Sequence, residues 1–527
     1  MKVLISDKLD ARCVEVLQKD QEIEVDVRTG LKADELKDII GDYEGLIVRS
    51  STKVTEDLLS AAGNLRVIGR AGAGVDNIDL DAATRHGIVV MNTPGGNSVS
   101  TAEHSFAMMI AMARNIPQAN ASVKAHKWER SDYTGVELDG KTLGVLGLGK
   151  VGRLVAARAA AFGMKVLGYD PFVSAEKAES YGARLSELDS LLEAADVLTF
   201  HLPMNEKTRH ILDEAALARC RDGVFVVNCA RGGIVDEEAL LRALESGKVA
   251  GAAIDVYETG EPPSNWDLID HDRVVCTPHL GASTREAQAS VALQVAEQVG
   301  DLLMERVIRN AVNVPSVEPE MYRKMQPFLD LGERLGRIQA QLLDGQLERV
   351  TVEYRGDVNE YPTAPLTAAV LRGLVDTMSD EPVNFVNAPF FMQERGVRVD
   401  ELRSSEHEDF ANLITVICQT STRQRTLSGS LFGKHQPRLV RLDEYTFDAL
   451  PEGHMLFYVN QDRPGIIGQI GTVMGDYNIN IAQMYCGRHV VGGGALTVLK
   501  VDSEIPQEVI SHLLSQDYIA WARQVSL

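Results

Sequence analysis

The chain has 527 residues, too many for one hydrophobic core and enough for roughly three or four domains. Apolar residues make up 45% and charged residues 24%, the balance of an ordinary globular protein. With 53 Lys+Arg against 75 Asp+Glu the formal net charge is -22, which repels nucleic-acid phosphates and anionic membrane surfaces, so neither is an expected partner. The six cysteines (Cys13, Cys220, Cys229, Cys276, Cys418, Cys486) are scattered with no CxxC pair. That spacing predicts no disulfide framework and no metal site, and fits a reducing cytoplasm. The opening MKVLISDKLD reads as a strand rather than a signal, and no apolar run is long enough to span a bilayer.

In chain order, the β-branched runs KVLIS, EVDVR, GLIVRS, LRVIGRAG and IVVMNTP alternate with helical stretches, which predicts a parallel, doubly wound sheet. A long helix follows in VSTAEHSFAMMIAMAR, with Ser100 and Glu103 spaced as a capping box and an apolar face through Phe106, Ile110 and Ala113. A second series then begins: TLGVLGLG, KVLGYD, DVLTFHLP, VFVVNCARG, AGAAIDVY and RVVCTPHLG. A helix from 285 to about 304 is long enough to cross back to the first unit. Two such connections predict a hinged cleft between a unit of residues 1–98 plus 286–315 and a unit of residues 99–285. Near NAVNVPSVEPE the alternation stops, and an amphipathic helix opens a third region, 316–451, that mixes helix and strand. Residues 453–527 read strand, helix, strand, strand, helix, strand. The expected fold is α/β, with flavodoxin-like and Rossmann doubly wound domains around a cleft, then an α+β intervening domain and a ferredoxin-like terminal domain.

In KTLGVLGLGKVGRLVAARAAAFGMKVLGYDP, Gly147, Gly149 and Gly152 form GxGxxG between an apolar strand and an alanine-rich helix. Gly147 permits the tight turn, Gly149 lets backbone approach a pyrophosphate, and Gly152 lets helix pack on sheet. The helix N-terminus supplies donors for phosphates. Asp170 ends the next strand at the distance expected for a ribose ligand, and its charge repels a 2'-phosphate, so the expected cofactor is NAD rather than NADP. Later strand ends carry Arg231 in NCARGG, Asp255 in AAIDVY, Glu261 in TGEPP and His279 in TPHLGAS. Singly, each reads as a loop or solvated residue. Together, an arginine that can grip a carboxylate and a histidine held by a glutamate form the parts needed for proton exchange with a hydroxyl.

Across GLIVRSSTKVT, RAGAGVDNIDL, GVLGLGKVG, NCARGGIVDE and TPHLGASTREAQ, the first 310 or so residues resemble the D-2-hydroxyacid dehydrogenases, and within them the long-form phosphoglycerate dehydrogenases. The resemblance implies that Arg231 binds the substrate carboxylate, His279 is the acid-base and Glu261 orients it. It also implies cofactor contacts at Gly147, Gly149, Lys150, Val151, Gly152, Asp170, Cys229, Ala230, Arg231, Asp255, His279, Gly281 and Ala282. DVYETGEPP is a residue longer than the family spacing, which makes Glu258 a rival to Glu261; Pro262 favours Glu261. Arg49, Arg70 and Asn97, at turns of the first unit, are the candidates for holding a substrate phosphate.

The final LFYVNQDRPGIIGQIGTVMGDYNINIAQMYCG resembles the ACT domain, an amino-acid-sensing module. Asp462, Gly465, Gly468 and Asn480 are the expected effector contacts. The intervening region resembles the extra domain of long-form phosphoglycerate dehydrogenases, where Lys434, Arg438 and Arg441 form either an anion site or a solvated basic face. The expected activity is NAD-dependent oxidation of 3-phosphoglycerate, controlled by L-serine, in a dimer or tetramer. Competing readings are a glyoxylate or hydroxypyruvate reductase, which leaves the tail idle, and a non-catalytic NAD-sensing scaffold, which leaves Arg231, Glu261 and His279 idle.

Overall fold

The computed structural model describes residues 1–264, 266–306, 308–315, 317, 319–376, 383–405, 409–433 and 435–527. Strands Lys2–Ile5, Glu24–Val27, Gly45–Val48, Val67–Arg70 and Val89–Met91 form a parallel sheet in the spatial order 2-1-3-4-5. Its central strand is buried at every position, as a parallel sheet covered on both faces requires. One cover is the helix Arg285–Leu303, whose Val291, Val295 and Val299 share a core with Val3, Ile47 and Val67.

The second sheet holds Thr142–Leu146, Lys165–Tyr169, Arg184–Leu185, Val197–Phe200, Val224–Asn228, Val249–Ile254 and Val274–Cys276, all parallel. Counted within the unit, the order is 3-2-1-4-5-6-7. The order reverses between Thr142–Leu146 and Val197–Phe200, and a crevice at such a switch point is where doubly wound sheets bind ligands. The helix Ser98–Ala113 covers this sheet through Met108, Met109 and Met112. Its start corrects the capping-box expectation. The N-cap is Asn97 without a side-chain cap, Ser100 Oγ donates instead to Gly281 O at 2.8 Å, and Glu103 pairs with Arg158. The buried face runs through Ala102, Ser105, Met109 and Met112, while Phe106 lies edge-on to Phe162 at its margin.

The intervening region is a six-stranded sheet, Leu347–Gly356, Arg398–Ser404, Asn412–Thr420, Gln424–Phe432, Gln436–Leu442 and Tyr445–Ala449, in the order 2-1-3-4-5-6. The C-terminal sheet is antiparallel, His454–Gln461, Ile481–Arg488, Gly494–Val501 and Ile519–Ser526, in the order 2-3-1-4, with helices Ile466–Asp476 and Gln507–Leu514 on one face. Strand alternation divides His454–Gln461 between two cores. Leu456 and Tyr458 meet those helices, whereas Met455 and Phe457 join Leu331, Leu335 and Ile338 of the long helix Pro319–Leu342. The two C-terminal regions therefore share a core rather than hanging as separate beads. The fold class is the one the sequence predicts, and no described helix is long and apolar enough to cross a membrane.

Candidate active site

The GxGxxG turn shows what each glycine is for. Gly147 takes φ +93°, and a Cβ there would lie 2.5 Å from His201 O; one on Gly152 would lie 1.8 Å from Gly147 O. A Cβ on Gly149 meets no described atom within 4 Å, so this is the open side on which a pyrophosphate can settle. Val151 caps the helix Gly152–Ala161 that follows. Asp170 accepts from Leu148 N and Phe172 N, both at 2.9 Å, so each carboxylate oxygen keeps lone-pair capacity for a ribose hydroxyl. Lys150 Nζ donates across the cleft to Pro94 O at 2.9 Å. The donor and acceptor set thus fits a dinucleotide carrying an unsubstituted ribose.

At the end of Val224–Asn228 the side chain of Asn228 closes the turn, accepting from Ala230 N at 3.1 Å and donating to Arg231 O at 2.9 Å. Arg231 Nη1 donates to Ala230 O at 2.7 Å, and its Nε faces Asp76 of the first unit at 3.3 Å. Arg70 lies behind it, with a buried Nε that finds no partner among the described residues. Burial, then repulsion from Arg231, and less strongly from Arg49, bring the Arg70 guanidinium down to about 10. A cation crowded by cations and short of a partner is poised for an anion. Asp7 organises the wall beneath, accepting from Arg49 N at 2.6 Å, Thr52 N at 3.1 Å and Thr52 Oγ1 at 2.9 Å. Asn97 stands half-buried at the helix start, with its carbonyl accepting from Thr101 N.

His279 adopts φ +54°, a conformation uncommon outside glycine and a mark of a position held by its surroundings. Its Nδ1 lies 2.5 Å from Glu261 Oε1. Glu258 is elsewhere, bonded at 2.8 Å to both Arg209 and His210, with its own N–H on Glu237 at 2.6 Å. His210 N in turn donates to Gly233 O at 2.8 Å. The rival carboxylate therefore braces the loop beyond Arg231.

Asp255 sits beneath the loop that carries His279. It is fully buried, and it accepts from Thr277 Oγ1 at 2.5 Å, Leu280 N at 2.7 Å and Gly281 N at 2.9 Å, with His104 at 3.2 Å. Burial raises its carboxyl, but the hydrogen bonds from His104, Thr277 and Leu280 outweigh it and leave the group below its ordinary value. In this conformation Asp255 anchors the loop carrying His279 instead of reaching an opening. Cys229 is likewise buried, its thiol pushed up to about 12 by burial, so only backbone there can meet a ligand. Gly281 is buried against Thr101, and Ala282 is half-buried beside it. Asp76, Asp7, His104 and His210 were not among the predicted residues. The signal for Asp76 was in RAGAGVDN, a carboxylate two residues past a glycine in a strand-end turn.

In the C-terminal domain, Asp462 accepts from Gly492 N at 3.1 Å and pairs with Arg488 at 3.3 Å, while Asn480 Nδ2 donates to Asp502 at 2.6 Å. Gly465 opens the helix Ile466–Asp476 at φ +95°, with Gly468 exposed on its first turn. Arg438 pairs with Asp448 at 3.3 Å and lies over the Phe432 ring, and Lys434 lies outside the described residues.

Three family models match in order: the D-isomer specific 2-hydroxyacid dehydrogenase NAD binding domain over 106–281, the D-3-phosphoglycerate dehydrogenase intervening domain over 324–443 and the ACT domain over 454–516. The D-3-phosphoglycerate dehydrogenase of Archaeoglobus fulgidus is 44% identical over 529 residues, covering 100% of both chains. That of Bacillus subtilis is 40% identical, covering 100% of this chain and 99% of its own. This chain belongs to the D-3-phosphoglycerate dehydrogenase family. It is an NAD-dependent oxidoreductase with a C-terminal ACT domain. Among solved structures, a glyoxylate reductase from Paecilomyes thermophila matches with TM-score 0.54 and 33% identity, covering 59% of this chain and 98% of its own. The D-lactate dehydrogenase of Aquifex aeolicus, complexed with NAD and lactic acid, matches with TM-score 0.53 and 29% identity over 60% of this chain and 100% of its own. Both cover only about the length of the two cleft-forming units.

Proposed function

We propose that the enzyme oxidises D-3-phosphoglycerate to 3-phosphohydroxypyruvate and so opens the route to L-serine. The observation that carries this reading is the convergence in the cleft of Arg49 and Arg70 from the first unit with Arg231 from the second, with the buried Nε of Arg70 unpartnered among the described residues. A substrate with one carboxylate satisfies one guanidinium, and one that also carries a phosphate satisfies the set. Bound NAD supplies the hydride acceptor. Arg231 grips the substrate carboxylate and polarises the reacting carbon, and Arg49 and Arg70, with Asn97 as a further donor, take the phosphate. His279 removes the hydroxyl proton at Nε2 while Glu261, on Nδ1, fixes the tautomer and steadies the imidazolium. Gly147, Gly149, Lys150, Val151 and Gly152 receive the pyrophosphate, Asp170 the ribose hydroxyls, and the backbone from Cys229 to Arg231, with Gly281 and Ala282, the nicotinamide end.

L-serine is the proposed effector, held by Asp462, Gly465 and Asn480 where ACT domains of two chains meet, in a cytoplasmic dimer or tetramer. The deciding experiment is a steady-state assay with 3-phosphoglycerate and with glyoxylate plus NADH, each with and without serine. A much higher kcat/KM for 3-phosphoglycerate, lowered by serine, is the expected result. Preference for glyoxylate overturns the substrate assignment.

A further inference from the structure

Arg231 is already engaged from across the cleft. Its Nε lies 3.3 Å from Asp76 Oδ2, a carboxylate whose side chain is 75% exposed, against 32% for the arginine. Asp76 sits in the turn after Val67–Arg70, and the turn is shaped to let the two meet. A Cβ on Gly74 would lie 2.5 Å from Arg231 Nη2 and 2.9 Å from Asp76 Oδ2, so any larger residue would push them apart. The acceptors around the trio of guanidiniums are unequal. Asp7 is buried and committed to Arg49 N, Thr52 N and Thr52 Oγ1, and cannot turn away without leaving those donors unpaired. Asp76 is solvated and its contact to Arg231 is a single ion pair. It is the carboxylate that can leave cheaply.

We propose that Asp76 is a tethered stand-in for the substrate carboxylate, which holds Arg231 while the cleft is free and is displaced when substrate arrives. The inference rests on Arg231 being the carboxylate anchor. Its consequence for binding follows from competition. Each ligand that brings a carboxylate to Arg231 must first break the same ion pair, so substrate, product and simple carboxylate inhibitors are weakened by one common factor. The chemical step is spared, because Asp76 has already moved aside when the hydride leaves. A change confined to ground-state and transition-state binding alike appears in KM and not in kcat. Exposed ion pairs of this kind are worth roughly 0.2–1 kcal/mol, so the factor is at most about five. When product departs, Asp76 recaptures the guanidinium, which spares Arg70 from facing a bare Arg231 through solvent.

The test is Asp76→Asn, close in shape but neutral, assayed with 3-phosphoglycerate and NAD. The KM for 3-phosphoglycerate should fall about two- to five-fold with kcat and the KM for NAD within error of wild type. Asp76→Glu, which keeps the charge, should return KM toward the wild-type value. In an Arg231→Gln background the same Asp76→Asn change should leave 3-phosphoglycerate binding, measured by calorimetry without NAD, unaltered. A KM that rises or stays put in Asp76→Asn, or an equal effect in the Arg231→Gln background, overturns the stand-in role. Wild-type protein that does not turn over 3-phosphoglycerate overturns the reading of the cleft itself, whereas normal turnover without the KM change removes Asp76 alone.

Discussion

Arg231, Glu261 and His279 come from separate strand ends of one parallel sheet, and the fold delivers all three to one side of one cleft within a single chain. Glu261 already touches His279, and Arg231 already reaches the opposite wall. The C-terminal domain treats its predicted residues differently. Asp462 bonds to Gly492 and Arg488, Asn480 bonds to Asp502, and the two do not meet. In a parallel doubly wound unit the strand order itself converges the carboxyl-end loops on one crevice. A four-stranded antiparallel sheet with helices on one face has no such crevice, and an effector site there needs a second surface. The helix Ile466–Asp476 offers one, since Ile467 is 60% exposed and Cβ atoms on Gly468, Gly471 and Gly475 would meet no described atom within 4 Å.

If the cleft is complete within a chain, single substitutions there should act on the chemistry directly. The largest expected effect is His279→Ala, which removes the proton acceptor and should lower kcat about 10²- to 10⁴-fold. NADH binding, followed by fluorescence titration, should be little changed. Retained turnover would break the assignment of the acid-base. Glu261→Gln should lower kcat by less than His279→Ala, and Glu258→Gln should leave the pH profile of kcat in place, because Glu258 serves Arg209 and His210.

Arg231→Lys comes next. It keeps the charge but not the planar fork, and should lower kcat/KM for 3-phosphoglycerate by on the order of 100-fold. A loss under about three-fold would mean that charge alone suffices and that the carboxylate is gripped elsewhere. Asp170→Ala should act on the cofactor only. It should lower the ratio of kcat/KM with NAD to that with NADP by about ten-fold, one or two charged hydrogen bonds being lost together with the repulsion of a 2'-phosphate.

The fold class, the tight glycine turn and the histidine–glutamate pair were legible in the sequence because each leaves a local trace: strand alternation, GxGxxG between strand and helix, and a carboxylate before proline. What was not legible depends on distant neighbours. Ser100 and Glu103 have capping-box spacing, yet Gly281 and Arg158 claim their side chains from elsewhere in the fold. Asp255 stands at a strand end like Arg231 but is turned inward by three donors from the 277–281 loop. Residues 316–451 and 453–527 read as two domains, because period-2 alternation shows that a strand has two apolar faces without showing what covers the second. Here Met455 and Phe457 lie under the helix Pro319–Leu342.

That shared core decides how the tail can be tested. Deleting residues beyond 451 would strip Met455, Phe457, Leu496, Val498 and Val525 from the core around Leu331 and Leu335, and the remainder would expose an apolar face rather than report on serine. A substitution is the cleaner instrument. Asp462 is partly exposed, and its carboxyl is held below its ordinary value first by the Gly492 N–H and then by Arg488, so it is a charged acceptor at neutral pH, as an ammonium group requires. Asp462→Ala should therefore weaken inhibition by serine several-fold, with the uninhibited rate of each protein as its own reference; allosteric couplings of about 1–3 kcal/mol leave room for a change of that size. If the effector site needs two chains, the same loss should follow from Ile467→Lys, which puts a charge on the exposed helix face without touching Asp462. Sedimentation should then show weaker association of the variant. Full serine inhibition in Asp462→Ala would remove that residue from the site, and full inhibition in Ile467→Lys with unchanged association would return the effector site to a single chain, erasing the contrast with the cleft.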